Sequence, residues 1–404
     1  MTGKNPAHIL QDIGRPAFVS FLDMARWMAA GMVLFGHLRN PLFLGYGDVP
    51  AGDRTLFVKA WFFVTGWHAE AVIVFFVLSG FLVGGLACGK VVTGRFNAPD
   101  YAVDRVSRLF VAFLPALVLT VVLDYAGSQY FAGSGFWNHT QAMIQSKVNS
   151  PPFETLATPA TFFCNLGMLQ NFYCQPYGSN TPLWTISAEF WFYAVFGLVL
   201  FALLTRHKAL RILGYCASAA IFIGLGWKFP PLLGLWLIGL AAAYVPQNPL
   251  LRPGVAMAVF IAVLVVVRVK QDVTDSSELL RTTKNYLVAL SFMWLLLSMR
   301  TSELKLLTRL GAFNRFLADF SYSLYLIHFP LMLFLLAALH ATGNFAGIAT
   351  GYSPANPQGV AVYAGIVASI YICAYLFSLA TERQTGKVRR ALKAKLTRKA
   401  DAQA

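Results

Sequence analysis

Charge is scarce in this chain of 404 residues, because Asp, Glu, Lys and Arg together make up only 12% of it. Soluble domains usually carry about 25% charged residues, so this composition excludes an ordinary water-soluble fold. Hydrophobic residues contribute 57% of the chain, and its mean hydropathy is +0.59. The same numbers exclude a disordered chain, a collagen-like repeat and a small disulfide scaffold. The chain is therefore expected to lie in a lipid bilayer.

Motifs for nucleotide and metal binding are also missing. No glycine-rich phosphate loop of the P-loop or Rossmann type is found, and no spacing of Cys and His resembles a metal site. The net charge of +15 is compatible with nucleic-acid binding, but basic residues that flank apolar spans more often set membrane orientation. We expect no metal and no nucleic-acid partner.

Apolar runs suitable for membrane spans occur ten times, given that a helical span needs roughly 20 apolar residues. The candidate spans are 18–38, 69–88, 108–127, 182–204, 212–226, 232–246, 254–268, 285–299, 317–340 and 359–380. With the N-terminus inside, 22 of the 32 Lys and Arg residues fall in inner segments, 9 in outer segments and Arg26 within a span. Because cytoplasmic loops are enriched in these residues, the sequence predicts an all-α integral membrane protein of about ten transmembrane helices with both termini cytoplasmic.

Three parts follow from this topology. They are a cytoplasmic N-terminal segment at 1–17, a transmembrane domain at 18–380 and a basic cytoplasmic tail at 381–404. The longest loop, 128–181, is predicted on the outer side and contains Cys164 and Cys174. These cysteines pair if that compartment is oxidising, and two free thiols are the alternative.

Ionisable residues within a span cost several kcal/mol unless they are paired or hydrated, so each is a candidate functional residue. The first span contains Asp23, Arg26 and His37. Arg26 and His37 are eleven residues apart, within roughly 20° of three full helical turns, so they share a face. Asp23 lies three residues before Arg26 and is expected to pair with it. The alternative is that Asp23 and Arg26 form a structural ion pair within the helix bundle and that His37 lies at the membrane interface.

A carboxylate in the fourth span, Glu189, is predicted at about the depth of His37. A carboxylate near an imidazole fixes its tautomer and stabilises its protonated form, as general-base catalysis requires. The alternative is that Glu189 caps a neighbouring helix or hydrogen-bonds to it.

A pair of arginines, Arg105 and Arg108, precedes the third span at the inner side. They share a helix face if that helix starts early. Paired guanidiniums suit a polyanion such as a nucleotide phosphate, whereas simple anchoring of the topology is the alternative.

The ninth span carries several hydroxyl groups and an imidazole, in a helix that we expect to be interrupted by Pro330. The polar residues are Ser321, Tyr322, Ser323, Tyr325 and His328. A span of this kind is expected to direct a polar face into the bundle.

The second span contains the segment FFVLSGF at 75–81. Gly80 and Gly84 form a small-xxx-small pattern, which favours close approach of another helix. No G-x-S-x-G elbow surrounds Ser79, so we interpret Ser79 as a packing residue rather than a nucleophile.

The order of these motifs resembles the acyltransferase-3 family of integral membrane acyltransferases over residues 18–380. The resemblance rests on the first-span Arg and His, FFVLSGF at 75–81, the RxxR at 105–108, SAEFWFY at 187–193 and SYSLYLIH at 321–328. Many family members open with LDGLR where this chain has LDMAR. Some members append an extracytoplasmic SGNH domain, which is not expected here.

The resemblance implies roles for individual residues. His37 matches the proposed catalytic histidine, Arg26 its arginine partner, and Glu189 the acid of the fourth-span motif. Arg105 and Arg108 match the pair implicated in the use of cytoplasmic acyl-CoA. Asp23 and the polar residues of the ninth span are then substrate contacts or structural support.

These observations predict an acyl-CoA-dependent O-acyltransferase of the bacterial cytoplasmic membrane, with acetyl-CoA or another short acyl-CoA as the donor. The acceptor is expected to be a hydroxyl of a glycan or glycolipid at the outer side, and His37 its general base. Direct transfer and an acyl-histidine intermediate both remain open, as does a homo-oligomer. The alternative function is a secondary transporter with a buried Arg, Glu and His path, although the two halves of the chain show no matching symmetry.

Overall fold

The computed structural model describes residues 14–147, 151–247, 252–269 and 277–401. Within these ranges every extended regular element is a helix, and β contacts are confined to two isolated bridges. The predicted all-α fold is therefore confirmed. Most of the predicted segment 1–17 lies outside the described residues.

The α-helices are numbered along the chain. They are α1 (Pro16–Leu42), α2 (Leu56–Val64), α3 (His68–Ser79), α4 (Gly85–Val92), α5 (Ala98–Tyr130), α6 (Ala142–Lys147), α7 (Phe153–Leu156), α8 (Pro159–Leu166), α9 (Trp184–Leu204), α10 (Lys208–Gly224), α11 (Phe229–Tyr244), α12 (Pro253–Val269), α13 (Glu278–Met299), α14 (Lys305–Arg309), α15 (Gly311–Ala318), α16 (Ser321–Ala341), α17 (Gly347–Thr350), α18 (Pro357–Ala380) and α19 (Thr385–Asp401). A π-helical turn, Gly80–Gly84, joins α3 to α4. Nine of the ten predicted spans each coincide largely with one of these helices, whereas the predicted span 69–88 covers α3, the π-helical turn and α4.

Six helical segments of the described chain are long and apolar enough to cross a membrane. They are Pro16–Leu42, Leu56–Val92, Ala98–Tyr130, Thr181–Leu204, Ser321–Ala341 and Pro357–Arg398. Two shorter apolar helices, Phe229–Tyr244 and Pro253–Arg268, accompany them. The lengths and composition agree with an integral membrane protein, whereas the count of ten spans and the cytoplasmic termini stay predictions.

Local capping explains where several helices begin. The Asn356 side chain accepts hydrogen bonds from the backbone N–H groups of Gln358 and Gly359, and Pro357 occupies the first turn of α18. The Thr55 side chain caps α2 in the same way. Such side chains satisfy N–H groups that have no partner within the helix.

The helices group into two compact units. The first comprises the described residues of Met1–Ala29, Ala69–Arg105 and Ala188–Ala318. In it the backbones of α11 and the π turn touch, since a Cβ on Gly80 would lie 1.9 Å from the carbonyl oxygen of Trp236. A Cβ on Gly239 would lie equally close to the carbonyl oxygen of Val77. The close helix approach predicted from the glycine pattern is therefore present.

The second unit comprises Ala30–His68, Val106–Ser187 and the described residues of Asp319–Ala404. A buried carboxylate, Asp124 of α5, organises its long loop by accepting hydrogen bonds from three donors. These are the backbone N–H and the hydroxyl of Ser179, at 2.8 and 2.6 Å, and the indole N–H of Trp137, at 3.0 Å. The loop is also closed by a disulfide between Cys164 and Cys174, which settles the alternative left open by the sequence.

The expected interruption at Pro330 is wrong, because α16 runs through this residue without a break. Proline has no N–H, so the carbonyl of Leu326, four residues earlier, loses its helical donor. The Asn180 side-chain amide replaces that donor and lies 2.9 Å from the Leu326 oxygen. A second bond, from the same amide to the Thr120 hydroxyl at 3.0 Å, holds Asn180 in place. Such replacement donors allow proline within membrane helices.

Candidate active site

An imidazole pair forms the centre of the polar site in the second unit. Nδ1 of His37, on α1, lies 2.9 Å from Nε2 of His328, on α16. The two rings are stacked, with centroids 5.2 Å apart and an angle of 12° between their planes. His328 has no solvent exposure, whereas His37 is half-buried. The structure therefore unites two predicted site residues that are 291 positions apart.

A third imidazole, His68, stands beside this pair at the start of α3. Its ring centroid lies 5.3 Å from that of His37. Gly36 permits the approach, since a Cβ at this position would come within 2.7 Å of Nδ1 of His68. Sequence reasoning missed His68 because a lone polar residue at a helix end reads as an interfacial group.

Another polar residue of α16, Tyr325, connects this site by hydrogen bonds to other parts of the second unit. Nδ1 of His328 lies 2.7 Å from the backbone oxygen of Tyr325. The Tyr325 hydroxyl donates to the backbone oxygen of Pro182 at 3.1 Å and lies 2.7 Å from the Thr185 hydroxyl. Tyr325 thus connects α16 to the start of α9 and the segment before it, and its role as a substrate contact or as structural support stays a prediction. Ser321 is buried as well, with 2% of its surface exposed.

A second polar cluster lies in the first unit and surrounds Glu189. The Ser79 hydroxyl donates to Oε1 of Glu189 at 2.7 Å, and the Tyr193 hydroxyl donates to the same oxygen. The indole N–H of Trp236 donates to the Ser79 oxygen at 3.2 Å. Ser79 is thus more than a packing residue, because its hydroxyl links the Trp236 indole to the carboxylate.

Arg105 borders this carboxylate cluster. Its guanidinium lies over two aromatic rings, 5.8 Å from the centroid of Tyr101 and 5.7 Å from that of Tyr193. The Tyr101 hydroxyl donates to the backbone oxygen of Tyr193 at 3.2 Å, which keeps both rings in position. The buried Nε of Arg105 has no hydrogen-bond partner among the described residues. A guanidinium placed in this way retains donors for an anionic ligand.

Arg108 has a different environment from Arg105. Both residues lie on α5, which begins at Ala98, early enough for the two arginines to share a helix face as predicted. Its Nη1 lies 2.9 Å from Oε1 of Glu382, and its guanidinium covers the Tyr322 ring at 5.1 Å. Oε2 of Glu382 accepts hydrogen bonds from the backbone N–H and the hydroxyl of Ser323. Glu382 was not singled out from the sequence. Its only signal there is that it is an acidic residue just after the last span, at the start of a strongly basic tail.

The predicted ion pair of the first span is present. Nη1 of Arg26 lies 3.8 Å from Oδ1 of Asp23, and Nη2 of Arg26 donates to the backbone oxygen of Ala318 at 3.4 Å. Both residues belong to the first unit, together with Glu189.

His37 and Glu189 belong to different units, and each has its own partners. Glu189 was expected near His37 as the carboxylate that fixes its tautomer. Within the second unit a polar group in contact with the His37 imidazole is His328. Orientation of His37 by Glu189 stays a prediction.

The described residues contain no group of three or more His, Cys, Asp or Glu side chains that could hold a metal ion. In the second unit, His37 contacts His328 through a hydrogen bond and ring stacking, and it contacts His68 through a ring contact. Imidazoles can take up and release protons near neutral pH. Arg105 and Arg108, on α5, are both half-exposed.

Comparison with known proteins identifies a family for this chain. A family model described as an acyltransferase domain, that of the acyltransferase-3 family, matches residues 19–379. An uncharacterized protein of Haemophilus influenzae is 23% identical over 158 residues, which are 39% of this chain and 59% of that protein. The match thus spans about three fifths of the relative's length. No solved structure matches the chain.

Proposed function

Because the chain belongs to the acyltransferase-3 family, we propose that it transfers an acyl group from acyl-CoA to a hydroxyl group. Acetyl-CoA is the simplest donor, and a sugar of a glycan or glycolipid at the outer side of a bacterial cytoplasmic membrane is the acceptor. The family and the apolar helices make the chain a membrane acyltransferase, and this favours an enzyme over the secondary transporter. The donor, acyl group and acceptor are the proposed parts.

The observation that supports His37 as the base is its hydrogen bond to His328 at 2.9 Å. An imidazole is the side chain whose ordinary pKa is best suited to proton transfer near neutral pH. A histidine at a lipid interface needs no partner of this kind. The paired ring is instead held in one orientation, as a general base must be.

In the proposed reaction a single base, His37, carries the proton from the acceptor hydroxyl to the leaving thiolate. His37 takes the proton of the acceptor hydroxyl while the hydroxyl oxygen attacks the thioester carbon. A carbon–oxygen bond forms, the carbon–sulfur bond breaks, and the thiolate of CoA receives the proton from His37. The products are an ester and free CoA.

Arg105 and Arg108 are the proposed contacts for the phosphates of the donor. They lie three residues apart on α5, so both reach the same side of that helix. The free Nε of Arg105 and its aromatic supports favour it as the stronger contact. We propose that Glu189 and Arg26 assist catalysis by their charges. Ser79 and Tyr193 donate hydrogen bonds to the Glu189 carboxylate, and Asp23 pairs with the Arg26 guanidinium.

The test compares the surface glycans of a host that lacks this protein with those of hosts that carry variants of it. His37→Ala should abolish the acyl ester seen by mass spectrometry, since loss of a general base costs about 10²–10⁴ in rate. His340→Ala is the matched control, because this half-buried histidine lies twelve residues beyond His328 on α16. Acylation that persists in His37→Ala at equal protein level contradicts the proposed function.

A further inference from the structure

The two nitrogen atoms of His328 face different kinds of partner, and this determines where its proton lies. Nδ1 lies 2.7 Å from the backbone oxygen of Tyr325. A carbonyl oxygen can only accept a hydrogen bond, so Nδ1 carries the hydrogen. In a neutral imidazole the other nitrogen, Nε2, then has a lone pair and accepts.

A doubly protonated His328 is the alternative, and burial argues against it. The residue has no solvent exposure, and its neighbours in sequence, Ile327 and Phe329, are buried and apolar. An isolated buried cation is strongly disfavoured, and such a group loses its proton instead. His328 is therefore the neutral tautomer with hydrogen on Nδ1.

The partner of Nε2 is Nδ1 of His37, at 2.9 Å. Because Nε2 of His328 accepts, Nδ1 of His37 must donate. The hydrogen of neutral His37 is thereby fixed on Nδ1, and its own Nε2 carries the lone pair.

We propose that His328 is a positioning residue that fixes the tautomer of His37, so that Nε2 of His37 is the atom that takes the acceptor proton. This inference rests on the proposed function, in which His37 is the base. The chain of bonds runs from the Tyr325 carbonyl through His328 to His37, and every donor in it faces an acceptor. Other orientations of His37 would break the bond to His328.

The same bond changes character during the reaction. When Nε2 of His37 gains the hydroxyl proton, the ring becomes a cation, and its Nδ1–H donates to a neutral lone pair. Hydrogen bonds from charged donors are stronger than those from neutral ones, so the cation is favoured where the reaction forms it. His328 neither gains nor loses a proton. The titratable side chains that face His37 are His328 from α16 and His68 from α3.

Two substitutions of similar size separate this role from packing. His328→Gln places an acceptor near the former Nε2 and so keeps a partner for Nδ1 of His37. His328→Asn keeps a donor near the Tyr325 carbonyl but is too short to reach His37. The matched controls are His340→Gln and His340→Asn on the same helix.

The first measurement is turnover at saturating acetyl-CoA, together with the KM for acetyl-CoA and the pH profile of kcat. We expect His328→Asn to lower kcat by about 10- to 150-fold, the factor that corresponds to the loss of one hydrogen bond to a charged group. The KM for acetyl-CoA should not change. His328→Gln should restore most of kcat, and both His340 variants should behave as wild type. Wild-type kcat in His328→Asn, or equal losses in the Asn and Gln variants, overturns the proposal.

The second measurement does not depend on activity. Nitrogen-15 NMR of the full chain labelled at its seven histidines distinguishes protonated from bare ring nitrogens, and His37→Ala identifies the signals of His37. We expect hydrogen on Nδ1 and a bare Nε2. A hydrogen on Nε2 of neutral His37 overturns the inference but leaves the acyltransferase proposal intact. Acylation that persists in His37→Ala contradicts the proposed function instead.

Discussion

Glu382 pairs with Arg108 across 274 residues of sequence, with 2.9 Å between Oε1 and Nη1. The acid side chain is 5% exposed and the arginine side chain 36% exposed. The other carboxylate oxygen binds Ser323, so one acid connects α5, α16 and the end of α18. The second arginine of the RxxR motif thus stabilises the fold whether or not it also contacts a donor.

This pair predicts a specific pattern of stability. Arg108→Ala should destabilise the protein by on the order of 2 kcal/mol, below the roughly 3–5 kcal/mol of a fully buried pair because Arg108 is partly exposed. Adding Glu382→Gln should recover part of the loss, since glutamine still accepts from Ser323 and leaves no buried charge. Thermal unfolding in detergent measures the cycle, with exposed Arg95→Ala as control. Strictly additive losses would show that the two residues do not interact.

Arg105 should affect donor binding more than stability. Arg105→Ala is expected to weaken binding of a non-hydrolysable acyl-CoA analogue by roughly 10- to 150-fold, the loss of one charge-assisted contact of about 1.5–3 kcal/mol. Arg105→Lys should recover binding only in part, because a lysine neither stacks on Tyr101 nor forms a two-pronged contact. Calorimetry on purified variants measures the affinity, again with Arg95→Ala as control. Unchanged binding would leave Arg105 as an anchor of topology.

Glu189 should act on turnover and not on donor affinity. Glu189→Gln is expected to lower the rate at saturating donor, because the charge that Ser79 and Tyr193 stabilise is removed. Ser79→Ala should lower the rate less, since Tyr193 still donates to the carboxylate. Turnover and analogue binding are measured together, with exposed Glu278→Gln as control. Loss of binding in Glu189→Gln would assign the carboxylate to the donor site.

Asn180 and Pro330 should be energetically coupled. Asn180→Ala leaves the Leu326 carbonyl without its donor and should cost about 1–3 kcal/mol. In a Pro330→Ala background the missing backbone N–H returns, so the same substitution should cost less. Thermal unfolding of the four proteins measures the coupling. An equal cost in both backgrounds would mean that Asn180 does not compensate for the proline.

The ten-span topology predicts that cysteines introduced on the two sides of the membrane differ in their reaction with an impermeant reagent. In a variant without the free cysteines Cys88, Cys216 and Cys373, a cysteine introduced by Tyr130→Cys should react with an impermeant maleimide in intact cells. A cysteine introduced by Ala394→Cys, on the exposed α19, should react only after permeabilisation. The same labelling of both sites from outside would contradict the ten-helix arrangement.

Features that depend on nearby residues were predictable from the sequence. Apolar runs marked the helices, the spacing of Asp23 and Arg26 gave their ion pair, and the small residues at Gly80 and Gly84 gave the close helix approach. These results follow because side chains three or four residues apart meet on one helix face.

Features that depend on distant residues were not predictable. The pairing of His37 with His328 and of Arg108 with Glu382 requires helices far apart in sequence to lie side by side. The error at Pro330 has the same origin, because its compensating donor, Asn180, lies on another segment. A single sequence contains no signal for such partners.

The π turn at Gly80–Gly84 has a consequence for comparing this chain with its relatives. A π turn contains one residue more than the α-helical turn it replaces, and each residue of an α-helix adds about 100° of rotation. The wider π turn uses this extra residue to complete about the same rotation, so Ser79 keeps its facing relative to α4. A relative with a one-residue gap here would have a regular helix and would still present the hydroxyl partner of the fourth-span acid from the position of Ser79.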